Sequence, residues 1–355
     1  MKPYSILLSV VLVVCVGLMA SCKRPGSESA QKSSASSQAV QSRSQAGKPL
    51  NPEQLAAKKL AVYADVYSLL VDSEQGLPDA YRTFMKKVVK AKPSDDIDFP
   101  VAPNLGEAIA VLKQSRSKAT TGQESLDAAA DKLVTATDKL AAHEKELVPY
   151  FSEKAYRADG MSRARKYFPE VQADYEAALA ALSGFGAEIM AAKRAVSEKH
   201  IAAFRAGGDI IRSHTEEIMM LSEELLALFD DPKVPFNRGE AFAKGNSLAA
   251  RLDKAIQAQR KGVEEAKSKP DAKVSPYYDA IRNLASGIIT DYREVRDKRS
   301  ETAFTAMLKK YDEAVKDYNS VQVNSAQPDN VPVKSAPAVG TPMKSAPVKS
   351  AQVKA

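Results

Sequence analysis

The sequence predicts an all-α protein, an elongated antiparallel bundle of long helices between N- and C-terminal tails that are expected to be disordered. Apolar residues recur at helical spacing through residues 51–330, and no stretch keeps the alternation of a strand. A continuous helix over 168–206 would be about 58 Å long, which favours an elongated shape. A single domain over 51–330 is predicted, and two bundles that share one long helix are the alternative.

Four segments of the sequence each carry one apolar stripe. The stripes consist of Leu126, Leu133, Leu140 and Leu147 with Ala129, Ala136, His143 and Tyr150; of Phe168, Val171, Tyr175, Ala178, Leu182, Phe185, Ile189, Ala192 and Val196; of Ile211, His214, Ile218, Leu221, Leu225 and Leu228; and of Phe304, Leu308, Tyr311, Val315 and Tyr318. Such a stripe is the face by which an amphipathic helix packs against other helices. Earlier helices are predicted at about 52–73, 77–91 and 104–119.

Proline and glycine mark where the helices are expected to end. The predicted ends are Pro149 for the first stripe, Gly207-Gly208 for the second and Asp231-Pro232 for the third, and Pro276 fits the first turn of the last long helix. Gly184 and Gly186 lie inside the second helix, where glycine destabilises by about 1 kcal/mol relative to alanine. They predict a close helix contact or a local bend.

Residues 1–21 are typical of an export signal. An apolar run from Ile6 to Leu18 is too short to span a bilayer, and Ala20 and Ser21 lead directly to Cys22. This ending resembles the bacterial lipobox, which implies that the Cys22 thiol receives a diacylglycerol and that the signal is removed before it. An ordinary secretory signal is the alternative. Because Cys15 leaves with the signal, no disulfide or cysteine metal site is expected.

Both tails have compositions that cannot form a core. Residues 22–50 form the predicted lipidated cysteine and a Ser/Gln-rich tether. Residues 331–355 hold VKSAP at 333–337, MKSAP at 343–347 and VKSAQ at 348–352, which favours an extended basic tail that is solubilising or weakly attracted to anionic lipid, lipopolysaccharide or the cell wall.

The positive charge of the chain lies in its tails. Of the net charge of +7, +1 lies in 1–22, +4 in 23–50 and +4 in 331–355, which leaves −2 for residues 51–330. A nearly neutral body does not support a basic groove on the folded domain, so no nucleic-acid partner is expected.

The stretch Val148–Glu170 is rich in aromatic and charged residues. Its Tyr150, Phe151, Tyr156, Asp159 and Gly160 follow the Leu stripe, and with the basic run after them they resemble the YiiG-like bacterial lipoproteins, a family with a domain of unknown function. The resemblance implies a helical envelope protein and supplies no reaction. The residues themselves fit either a structural cap at one bundle end or an interaction loop with an aromatic and cationic pocket for an anionic ligand.

Three histidines are the weak candidates for a metal site. His143, His200 and His214 fall on or beside the stripes, and His214 with Glu217 gives an H-x-x-E spacing that resembles imelysin-like periplasmic proteins. The acidic residue that di-iron bundles place three positions before a histidine is missing. Satisfied core histidines are therefore the favoured interpretation, and a shared metal site is the alternative.

The sequence predicts a cell-envelope lipoprotein with a binding or scaffold role. No nucleophile elbow, P-loop or dinucleotide motif is found, so no catalytic residue and no cofactor are predicted. The expected partners are the membrane, through Cys22, and an envelope protein or the cell wall. Lys23 stands where Asp commonly retains bacterial lipoproteins in the inner membrane, which favours the periplasmic side of the outer membrane. A periplasmic solute- or metal-binding protein is the alternative function.

Overall fold

A computed structural model of the chain describes residues 51–71, 75–117, 122–229, 239–270 and 273–325. Within these residues the chain forms α-helices and no β-strand, which confirms the all-α prediction. The helices are α1 (Pro52–Val71), α2 (Leu77–Thr83), α3 (Leu105–Arg116), α4 (Glu124–Ser152), α5 (Ser162–Ala206), α6 (Ile210–Ala227), α7 (Gly239–Lys267), α8 (Tyr277–Lys298) and α9 (Glu301–Ser325). No helix among the described residues is long and apolar enough to cross a membrane.

The longest helix, α5, contributes to two apolar clusters. The first cluster is built from α1 to α4 and from α5 up to Ile189. The second begins at Ile201 of α5 and is completed by α6 to α9. With 45 residues, α5 is about 68 Å long. The buried apolar residues of the described chain therefore form two clusters, and α5 contributes to both.

Most members of the apolar stripes are buried, the others are partly buried, and Val196 alone among them is exposed. Leu126, Leu133, Leu140 and Leu147 of α4 are all inaccessible to solvent or nearly so. In α5 the stripe is buried as far as Ile189, but Val196 is exposed. A seven-residue repeat drifts by about 20° per heptad around a straight helix, so four heptads after Phe168 the stripe no longer faces the core.

The prediction that Pro149 ends its helix is wrong, because α4 continues to Ser152. Pro149 lies in the last turn and is exposed, so the hydrogen bond that it cannot donate is lost on the solvent side of the helix. Its carbonyl still accepts from the Glu153 N–H at 2.9 Å. The missing hydrogen bond therefore lies on the side of the helix that does not pack against the core.

The remaining predicted boundaries divide into three outcomes. The end of α5 before Gly207 is confirmed, and Pro276 immediately precedes α8 instead of lying in its first turn. The predicted stop at Asp231-Pro232 lies outside the described residues. A Cβ on Gly186 would lie 2.5 Å from the ring of Tyr67, which confirms the close contact there, whereas Gly184 has nothing within 4 Å.

Candidate functional site

The aromatic rings of the Val148–Glu170 stretch point into the first apolar cluster. Tyr150, Phe151 and Tyr156 are all buried. The Phe151 ring lies 5.4 Å from the Tyr156 ring and 5.8 Å from the Phe99 ring, measured between centroids. The rings therefore close the end of the helical cluster.

The turn within this stretch is held by Asp159. Its Oδ1 accepts hydrogen bonds from the Tyr150 hydroxyl at 2.8 Å and from the Met161 N–H at 2.9 Å. Burial alone would raise the pKa of Asp159, but the hydrogen bonds from Tyr150 and the backbone outweigh it and lower the pKa. Gly160 and Met161 both adopt positive φ, at 62° and 65°. The Asp159 carboxylate thus stabilises a backbone conformation that is unfavourable for Met161.

The same stretch binds the acidic segment that precedes α3. The Tyr156 hydroxyl donates to the Asp95 carbonyl at 2.9 Å and accepts from the Ile97 N–H. On the surface, Lys154 lies 2.7 Å from Asp96, and Arg157 lies 3.4 Å from the same carboxylate. Rings, hydroxyls and these two cations all contact other parts of the chain, so the geometry favours the structural cap over the ligand pocket.

The three histidines pair with three different carboxylates. His143 Nε2 lies 2.9 Å from Asp174, His200 Nδ1 lies 3.5 Å from Glu216, and His214 Nδ1 lies 3.3 Å from Glu217. In the part of the chain that the structure describes, no three His, Cys, Asp or Glu side chains lie close enough to hold a metal ion.

The pair formed by His214 and Glu217 is the H-x-x-E motif of the sequence. Arg205 lies 3.1 Å from the same oxygen of Glu217. The two residues of the motif are therefore in contact, and the Glu217 carboxylate is shared between His214 and an arginine of α5.

The helix α6 contacts both α5 and α9. Polar side chains of the three helices lie close together at these contacts. They form two groups, which we call the polar layers: the first is Lys193, Glu223 and Tyr311, and the second is His200, Glu216 and Tyr318. On each helix the two members are seven residues apart, so they stand on one face. The carboxylates of α6 thus meet basic groups of α5, Glu216 also meets the Tyr318 phenol of α9, and the charge of Glu223 acts on Tyr311.

The polar layers are largely shielded from water. Lys193 Nζ lies 2.8 Å from Glu223 Oε1, with only 6% and 14% of the two side chains exposed. In the second layer the Tyr318 hydroxyl donates to Glu216 Oε2, and His200 approaches the other carboxylate oxygen. Each buried charge of α6 therefore has a partner on another helix.

Electrostatics of the layers follow from this pairing. The hydrogen bond from His200 to Glu216, helped by the Glu216 charge, raises the pKa of His200 although burial acts in the opposite direction. Burial, followed by the negative charges of Glu223, Asp312 and Glu216, raises the pKa of Tyr311 well above its ordinary value. Tyr311 therefore stays a neutral phenol, and His200 holds its proton to a higher pH than a free histidine.

Two further polar groups lie within the first apolar cluster. Lys59 of α1 lies 2.7 Å from Asp127 of α4, and the Tyr63 hydroxyl donates to the same carboxylate at 2.8 Å. Glu144 differs, because its Oε1 is shielded and has no hydrogen-bond partner among the described residues. Burial raises the pKa of Glu144 to about 7, against a weaker opposing effect of the Ala102 N–H. The cluster thus holds one paired carboxylate and one without a cation.

Sequence reasoning selected His200 but not the other members of the polar layers. It places Tyr311 and Tyr318 in an apolar stripe and singles out neither Glu216 nor Glu223. The available signal was the shared seven-residue spacing of Lys193 with His200, of Glu216 with Glu223 and of Tyr311 with Tyr318. Spacing alone does not say which helices meet, so the partners were not predictable.

Comparison with known proteins adds the family. The family model described as protein of unknown function, DUF3829, matches residues 54–321. The chain belongs to this family. The match covers every helix of the body from α1 to α9, including the cap and both polar layers. Searches of curated proteins and of solved structures give no significant match.

Proposed function

We propose that this member of the DUF3829 family is a lipid-anchored protein of the bacterial cell envelope that acts by binding or as a scaffold, without catalysis. The observation that carries the proposal is Cys22, which follows Ala20-Ser21 at the end of a short apolar run. Three acyl chains on one cysteine anchor a protein durably, whereas one chain anchors only marginally. The resemblance of the Val148–Glu170 stretch to YiiG-like lipoproteins supports an envelope location, and Lys23 after the anchor favours the periplasmic side of the outer membrane.

The interior of the body supports a mechanical role. Lys59 pairs with Asp127, Lys193 pairs with Glu223, and each pair joins two helices. Charges placed in this way fix the relative positions of helices, since a buried ion left without its partner destabilises by about 3–5 kcal/mol. A body held in this manner suits a rigid spacer that presents its surface to an envelope protein or to the cell wall.

The anchor is tested by replacing the acylated residue. We expect metabolic labelling with a radioactive fatty acid to mark the wild-type chain, and Cys22→Ser to abolish the label and release the protein from sedimented membranes in high salt. Cys15→Ser is the matched control, because that cysteine lies within the predicted signal. A Cys22→Ser protein that is still labelled, or that still sediments in high salt, overturns the anchor.

Metal binding has weaker support as a second function. His143, His200 and His214 each have their own carboxylate. No observation in the described residues favours a common ion over these pairs. The binding or scaffold role is therefore the function that we propose.

A further inference from the structure

The middle of α7 carries more cations than carboxylates on its solvent-facing side, and Glu240, Glu264 and Glu265 lie towards the two ends of the helix. Residues 241–263 include five basic residues and a single acidic one, Asp253. The basic residues are all exposed: Lys244, Arg251, Lys254, Arg260 and Lys261. The opposite side of the helix buries Leu252 and Ile256 in the second apolar cluster. This exposed side is therefore a fixed surface of the fold.

Four of these cations form a row. At 3.6 residues per turn, Lys244, Arg251, Lys254 and Lys261 fall within about 100° of one another around the helix axis, and Asp253 falls outside that sector. The row extends for about 26 Å along the helix. We call these four residues the basic row.

The basic row is not neutralised by the rest of the described chain. Lys244, Arg251 and Lys254 take part in no ion pair or hydrogen bond there, and Lys261 has only Glu265, at 3.7 Å. Arg194 of α5 shows the usual alternative, because it forms a close pair with Glu224. Several adjacent cations without counter-charges repel one another, and an anionic partner relieves that repulsion.

We infer that the basic row is a docking surface for the anionic headgroups of a phospholipid membrane. Charge complementarity supports an anionic surface. No large apolar side chain of α7 is exposed, which fits adsorption to headgroups without insertion. The choice of a membrane as the partner rests on the proposed lipid anchor at Cys22. Residues 23–50 span at most about 95 Å when extended, which exceeds the length of α5, so anchoring at Cys22 allows α7 to reach the same membrane.

The expected strength is modest and depends on salt. A Lys or Arg close to an anionic lipid surface strengthens binding by about fivefold, and the effect falls off within a Debye length. Replacing three members of the row should therefore weaken binding by about tenfold or more.

The test measures vesicle binding without the acyl group. The chain from Lys23 to Ala355, which keeps every described residue, is sedimented with vesicles of phosphatidylcholine alone or mixed with phosphatidylglycerol. The test variant replaces Lys244, Arg251 and Lys254 with glutamine. The matched control replaces Lys132, Lys139 and Lys145 of α4, which are also exposed but stand beside Asp131, Asp138 and Glu146 in the sequence. Circular dichroism checks that both variants remain helical.

We expect the wild-type chain to bind only the phosphatidylglycerol vesicles, and the α7 variant to lose about tenfold or more while the α4 variant binds nearly as well as wild type. Equal losses in both variants would show that total charge decides binding, and no loss in either would assign binding to the tails; both results overturn the inference. Binding of the row to a soluble anionic glycan but not to vesicles would also overturn it. Since no acyl group is used, any of these results leaves the test of Cys22 unaffected.

Discussion

The two halves of α5 hold their neighbours by different means. From Phe168 to Ile189 the helix buries rings and aliphatic side chains, and Phe185 lies edge-on to Tyr63 at 5.4 Å between centroids. From Lys193 to His200 it presents polar groups to the carboxylates of α6. Apolar burial is strong but has little directional preference, whereas a buried charge requires a partner of opposite charge or a hydrogen-bonding group at a specific position. The comparison suggests that the apolar half supplies stability and that the polar half specifies which residues of α6 lie beside α5.

The largest expected effect is in the apolar half. Phe185→Ala should lower the free energy of unfolding by about 3–5 kcal/mol, because it removes a fully buried ring and leaves a cavity. Val196→Ala is the control on the same helix, since Val196 is exposed and should change the free energy by less than about 0.5 kcal/mol. Chemical denaturation followed by circular dichroism measures both. Equal losses would contradict the difference between the two halves.

The Lys193 and Glu223 pair tests whether the polar half specifies position. Glu223→Ala should cost about 3 kcal/mol, because Lys193 is left buried without a counter-charge. The double variant Lys193→Met with Glu223→Leu should be more stable than Glu223→Ala, since apolar residues of similar size often replace a buried pair at little cost. Glu53→Ala is the control, because its pair with Lys199 is exposed and should contribute about 1 kcal/mol or less. A double variant that is as unstable as Glu223→Ala, or less stable, would contradict this role of the pair.

The sequence was sufficient to predict the apolar half. The spacing of Phe168, Tyr175, Leu182 and Phe185 requires a helix with one buried face, and this face is buried in the structure. The same spacing also includes Val196, which is exposed. A seven-residue repeat drifts slowly around the helix, and the sequence does not show at which residue the drift has moved the stripe out of the core. Periodicity therefore predicts the buried face of a helix more reliably than it predicts the residue at which burial ends.

Two parts of the fold were not predictable from pattern. The helix α7 had no predicted counterpart, because small and polar residues interrupt its buried face: Gly245 approaches Tyr292 closely, and Gln259 is fully buried. The polar layers require α6 to lie between α5 and α9, which is a property of topology. The cap was predictable as one of two alternatives, because buried rings and a tight turn follow from residue type, but its contact with Asp95 and Asp96 joins segments about sixty residues apart.

A carboxylate without a cation sharpens the comparison. The pKa of Glu144 is raised from 4.5 to about 7 by burial, so the folded state is destabilised where this group is ionised, and stability falls as pH rises from about 4.5 to about 7. Glu144→Gln should therefore stabilise the chain at pH above this window by up to about 3 kcal/mol and have little effect near the lower end. Glu223→Gln should have the opposite sign under the same conditions, because it removes the partner of Lys193. Unfolding curves across the pH range measure both, and a loss of stability in Glu144→Gln at high pH would contradict the explanation.

The smallest effect concerns His200 and gives the finest test of the polar half. The hydrogen bond to Glu216 raises the pKa of His200 in the folded state above its ordinary value of 6.5; the charges of Glu216 and Glu53 act in the same direction, and burial and Lys199 oppose them. The pairing therefore stabilises fully below about 6.5, and this contribution is lost as pH rises through the raised folded pKa. Because Glu144 also lowers stability as pH rises, the measurement belongs in the Glu144→Gln background.

In that background the stability of the chain should still fall as pH rises past neutrality, and His200→Gln should remove this remaining slope. The imidazole chemical shift of His200, followed by NMR, should titrate above the ordinary histidine range, and Glu216→Gln should return it towards that range. His214→Gln is the control, since His214 pairs with Glu217 outside the layers. A slope that survives His200→Gln but disappears in His214→Gln would place the titrating group outside the polar layers. The hydrogen bond from Tyr318 to Glu216, which joins α9 to α6, would then be the main contribution of the second layer.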